Sequence, residues 1–147
     1  MQDAKRERQD MPKILVLGAG MVAGPLVRYL LDKGYEVTLN LMAVSTIQEW
    51  ELDEALEIFA DSGANAIYLS DSFGVFYREQ VEYLMRKYLR LAVPRGKVVG
   101  MHAHNNQQLA FANTIEAIIL GANMLDGSMA GLGRGAGNCP LEPLAGF

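Results

Sequence analysis

Val81-Glu-Tyr-Leu-Met-Arg-Lys-Tyr-Leu-Arg-Leu-Ala-Val-Pro-Arg-Gly-Lys-Val-Val-Gly-Met-His-Ala103 contains one complete helix-to-strand junction. Val81, Leu84, Met85, Tyr88 and Leu89 recur at helical spacing. Pro94 ends that helix, Gly96 closes it, and the apolar run Val98–Ala103 follows. The same punctuation recurs at Gly34, Gly63 and Gly121, each after an amphipathic segment and before an apolar run. The runs Lys13–Leu17, Glu36–Val44, Ala66–Ser70, Val98–Ala103 and Met124–Met129 are short and nearly continuous, as strands buried on both faces are. The chain therefore reads as a βα repeat: a five-stranded parallel sheet with four helices in a single α/β domain spanning residues 1–147.

The intervening stripes, Leu52, Ala55, Leu56, Phe59 and Ala60, then Phe111, Ile115, Ile118 and Ile119, face a core. Thr46 with Glu49 predicts a capping box at the second helical region. Two layouts fit this pattern. If each strand adds beside the last, all helices share one face, the other face is bare and apolar, and the result is an open half-barrel that must dimerise. If direction reverses after the first βα unit, a doubly wound, Rossmann-like or flavodoxin-like three-layer sandwich results, which can be monomeric. The compact length of 147 residues favours the sandwich.

Half of the residues are hydrophobic and the net charge is −4, which places the chain among ordinary globular proteins and argues against a nucleic-acid partner. No apolar run approaches the roughly 18 residues of a membrane span. Met1–Lys13 is too charged for a signal peptide, so residues 1–12 are expected to be a flexible leader and the protein cytoplasmic. The single Cys139 cannot form an internal disulfide and reads as a small buried residue.

Two segments carry candidate chemistry. Gly18-Ala-Gly20-Met-Val-Ala23-Gly24 follows the first strand and opens a helix, which is the G-x-G-x-x-G/A pattern in its proper context. Gly18 permits the turn, Gly20 admits a pyrophosphate to the backbone, and Ala23 allows close packing of helix on strand. The acidic residue that would hold a ribose at the end of the second strand is absent; Asn40 stands there, followed by Leu41. His102 and His104, the chain's only histidines, alternate onto one strand face and could share a divalent metal. Arg134, among Gly131, Gly133, Gly135 and Gly137, reads as part of a mobile loop more readily than as an anion clamp.

Residues 13–40, through Ile14-Leu-Val-Leu-Gly-Ala-Gly-Met-Val-Ala-Gly-Pro-Leu26, resemble the opening of the saccharopine dehydrogenase family, which implies NAD(P) at Gly18, Gly20 and Ala23. Residues 41–147 resemble the metal-dependent aldolase and lyase superfamily. The matching segments are Tyr68-Leu-Ser-Asp-Ser-Phe-Gly74, Val99-Gly-Met-His-Ala-His-Asn-Asn106 and Gly131-Leu-Gly-Arg-Gly-Ala-Gly-Asn-Cys-Pro-Leu-Glu142. That resemblance implies His102 and His104 as ligands of Mn²⁺ or Mg²⁺, Asn138 near the metal, and Asp71 facing the site. The superfamily's first-strand Asp and Arg have no counterpart here. Together the two resemblances predict an engineered chimera, a TIM-barrel fragment joined to a dinucleotide-binding βα unit between residues 40 and 41. Its metal site would be vestigial, no catalysis is expected, and at most residual NAD(P) or metal binding survives.

Overall fold

The computed structural model describes residues 13–17 and 23–147, in chain order β1 Lys13–Leu17, α1 Ala23–Asp32, β2 Glu36–Leu41, α2 Glu49–Asp61, β3 Ala66–Asp71, α3 Arg78–Ala92, β4 Val98–Ala103, α4 Ala110–Leu120, β5 Met124–Leu125 and α5 Leu141–Gly146. The five strands are all parallel, as the repeat predicts, and their order is β1-β2-β3-β4-β5. This corrects the doubly wound sandwich. No strand reverses the direction of winding, and right-handed crossovers between successive neighbours place every connecting helix on one face.

The register shows how that face is filled. Leu39, Ile67 and Val99 form one row across β2, β3 and β4, and Leu41, Leu69, Met101 and Leu125 form the next. Most of these pack under the helices against Leu52, Leu56, Val81, Met85, Tyr88 and Ala117. The opposite face carries Asn40, Tyr68, Gly100 and Met124 in one row and Ser70 beside His102 in the next. The row before them, Thr38, Ala66 and Val98, is mostly apolar, so among the described residues this face mixes polar and apolar positions, and the strand order is that of the expected half-barrel.

Local differences have local causes. β2 stops at Leu41 because Ala43 turns left-handed (φ +56°) into a 3₁₀ turn over Val44–Thr46. This moves the helix start, so the capping box forms from Gln48 and Glu51, whose carboxylate accepts the Gln48 N–H at 3.0 Å, while Thr46 Oγ1 donates to the Ala43 carbonyl instead. β5 is reduced to two residues, and the short α5 adds a fifth helix to the four predicted. Among the described residues no helix is long and apolar enough to cross a membrane.

Candidate metal centre at the end of the fourth strand

β4 delivers His102 and, one residue beyond its end, His104 to the helix-free face, with ring centroids 5.2 Å apart and planes at 76°. The His104 backbone is pinned by its N–H donating to the Asp71 carbonyl at 3.1 Å. Strand periodicity is the local cause of the shared face, and Ala103 between the two histidines points into the core.

The glycine-rich loop returns to this strand end. Asn105 N–H donates to the Gly137 carbonyl at 2.8 Å, and Cys139 N–H donates to the Ala103 carbonyl at 3.0 Å. These bonds flank His104 and Asn138, which form an antiparallel bridge. The two therefore make a non-hydrogen-bonded pair, the arrangement in which facing side chains lie closest. Asn138 Nδ2 donates to the Leu132 carbonyl at 3.1 Å, and its Oδ1 is buried without a partner. An orphaned carbonyl oxygen on the residue paired with His104 fits a divalent cation, because it supplies the oxygen donor such ions take alongside nitrogen. Among the described residues no group of three or more His, Cys, Asp or Glu side chains could hold a metal.

Burial holds the His104 pKa below the usual imidazole value, and the neighbouring His102 and Arg134 add to the effect. The ring is thereby kept neutral, the form that can ligate. Arg134 lies close enough to contribute because its Nη2 donates to the Ser72 carbonyl at 3.0 Å. The loop is not the mobile segment predicted: Gly137 N–H donates to the Arg134 carbonyl, Asn138 N–H to the Gly131 carbonyl, and Asn106 Oδ1 accepts the Ala136 N–H.

Two neighbours escaped the sequence reading. Asp126, just past β5, accepts a hydrogen bond from His102 Nδ1 at 3.2 Å, and its charge reaches the Tyr68 phenol. Burial raises the Tyr68 pKa, and the Asp126 charge raises it further. Tyr68 can lie across the sheet because Gly100 has no side chain; a Cβ there would come within 2.5 Å of the ring. The available signal was strand parity, since Tyr68 and Ser70 alternate onto the same face as Gly100 and His102.

Asp71 pairs in register with Ala103, on the helix side, and its two oxygens accept the Val75 and Phe76 N–H groups at 3.0 Å each. It builds the β3–α3 loop, and its charge still reaches His104, where it partly offsets the lowering of the imidazole pKa. Gly18 and Gly20 lie outside the described residues, and Ala23 is the first residue of α1. Cys139 is buried, and burial raises its thiol pKa, partly offset by a bond with the Thr114 hydroxyl.

Comparison with known proteins places this geometry. The HMGL-like family matches residues 19–146. The chain belongs to the HMGL-like family. It is 38% identical over 121 residues to an oxaloacetate decarboxylase of Mycobacterium tuberculosis, covering 82% of this chain and 35% of that protein. It is 44% identical over 94 residues to a 4-hydroxy-2-oxovalerate aldolase of Thermus thermophilus, covering 64% of this chain and 26% of that one. An HMG-CoA lyase of Acinetobacter baumannii, solved with coenzyme A and 3-methylmalate, superposes with a TM-score of 0.68 at 26% identity, covering 82% of this chain and 43% of that one. The chain thus spans about a third of the length of the curated relatives.

These matches overturn the chimera. An HMGL-like match beginning at residue 19 runs through the expected junction at 40–41, and an alignment of 121 residues cannot fit within the 107 that follow residue 40 (147 − 40 = 107). The ground for a separate dinucleotide-binding parent, and with it for NAD(P), is removed. The non-catalytic designed scaffold is likewise overturned, since the relatives are aldolases, lyases and a decarboxylase.

Proposed function

We propose that this HMGL-like chain carries the cation-binding strand end of a metal-dependent lyase that cleaves a carbon–carbon bond in a 2-oxo acid, in the first instance a 4-hydroxy-2-oxo acid. The observation that supports this is the His102–His104 pair on one sheet face beside the unpaired Asn138 Oδ1. The pair stands at the carboxyl end of a parallel strand, where sheets of this kind place their chemistry. His102, His104 and Asn138 are the proposed ligands, for Mn²⁺ or Mg²⁺. Bound there, the cation would polarise the 2-oxo group and stabilise charge developing on its oxygen.

In a 4-hydroxy-2-oxo acid the C3–C4 bond breaks, its electron pair passes to C3 as the pyruvate enolate, and the 4-hydroxyl loses its proton to leave an aldehyde. C3 then takes up a proton to give pyruvate. The chain's own contribution is positional. His104 is kept neutral, His102 is held by Asp126, and the Arg134 cation is anchored at the rim through the Ser72 carbonyl. The likeness to an oxaloacetate decarboxylase favours a second substrate for the same site, in which the same bond breaks and carbon dioxide departs. The test is pyruvate release with Mn²⁺ from each substrate. Release that depends on the cation and is lost in His102→Ala is expected; release that is unchanged in that variant would contradict the assignment.

A further inference from the structure

The Asp126 carboxylate lies just beyond the ligand set, and its bonding constrains the site. Ionised, it offers acceptors only, so its contact with His102 Nδ1 at 3.2 Å is one that an Nδ1–H donates. Tyr68 stays protonated, because burial and the facing carboxylate both oppose its ionisation. The carboxylate is fixed in turn by the Asp126 backbone N–H, which donates to the Met101 carbonyl at 3.0 Å and continues the sheet past β5. A neutral imidazole carries a single ring proton. With that proton on Nδ1, the lone pair is on Nε2, the nitrogen farther from the backbone.

We propose that Asp126 is a positioning residue that selects the Nδ1–H tautomer of His102 and presents Nε2 to the cation. The part that concerns the cation rests on the reading of His102, His104 and Asn138 as ligands; the tautomer itself does not. Asp126 acts through His102 and belongs to no described group of three acidic, His or Cys side chains able to hold a metal. A carboxylate behind a ligating imidazole raises its basicity and fixes its ring, and loss of such a partner typically weakens metal binding by about 10- to 100-fold.

Two measurements on the full chain separate the parts. In metal-free protein labelled with ¹⁵N-histidine, long-range ¹H–¹⁵N correlation at pH 8 should show His102 protonated on Nδ1. Asp126→Ala should move the proton towards Nε2, and so should Asp126→Asn, which keeps the volume but whose amide N–H can donate to Nδ1. A wild-type His102 protonated on Nε2, or a tautomer unchanged in Asp126→Ala, would overturn the inference and leave the ligand assignment standing. Calorimetric titration with Mn²⁺ should then show affinity about 10- to 100-fold weaker in Asp126→Ala. If the wild type has the Nδ1–H tautomer but takes up no Mn²⁺, the ligand reading falls and takes with it the purpose assigned to Asp126.

Discussion

The two ends of the sheet are built to different standards. Around β3 and β4 a large core joins strands to α2, α3 and α4, with Leu69, Met85, Val99, Met101 and Ala117 wholly buried. Under α1, among the described residues, Leu30 and Val37 are buried, flanked by the partly exposed Val27, Leu31, Tyr35 and Leu39. Ion pairs stitch the helices at the first end: Lys87 to Glu49 and Asp53, Arg95 to Glu57 and Asp61, and Arg78 to Glu116. Between α1 and α2 there is instead an open groove of about 710 Å³ lined by Val27, Leu31, Ile58 and Phe59. The candidate site stands at the well-packed end. A ligand set must be held to within a fraction of an ångström, and the buried rows of β3 and β4 supply that support.

This contrast can be broken by mutation. The largest effect is expected from Met101→Ala, which empties a fully buried position beneath the histidine strand. It should cost about 2–5 kcal/mol, read from urea unfolding. Leu30→Ala should instead accelerate amide hydrogen exchange in α1 and β2 and leave exchange in β3 and β4 unchanged; equal acceleration at both ends would erase the distinction. Gly100→Ala should cost about 1–3 kcal/mol, because its Cβ would overlap the Tyr68 ring.

Lys87→Ala should cost about 1 kcal/mol or less. Burial pulls the Lys87 pKa down, but its bonds to Asp53 and Glu49 outweigh that and raise it, and the partners are solvent-screened. Alkali should weaken the fold more gradually. The Cys139, Tyr68 and Tyr88 pKa values are all raised by burial, so the folded state resists ionisation that the unfolded chain undergoes from about pH 9 upward. Their stabilisation is complete below that pH and is lost as pH rises through the folded values. The midpoint temperature measured between pH 7 and 11 should therefore fall only above about 9.

Much of the fold was legible because βα repeats write their own punctuation. Gly34, Gly96 and Gly121 do close their helices with positive φ, while Gly63 does not; a Cβ there would come within 3.0 Å of Leu31. Strand order was not legible. The same apolar runs and helical stripes serve a sandwich and a half-barrel, and only the polarity of Asn40, Tyr68, Ser70 and His102 on one parity marks a face without helices. The imidazole pair was visible from its i, i+2 spacing. Asp126 was not, because β5 is two residues long and shows no alternation from which to read its face. The loop-capping bonds of Asp71 to the Val75 and Phe76 amides were not legible, because a carboxylate at a strand end can serve a ligand or a loop and the spacing alone does not separate the two.

The central claim is that His102, His104 and Asn138 form one cation site, and calorimetric titration with Mn²⁺ tests it most directly. One equivalent should bind to the wild-type chain, binding should be lost when either imidazole is replaced by alanine, and it should be weakened in Asn138→Ala. Binding of the same strength and stoichiometry in His102→Ala and His104→Ala would contradict the account.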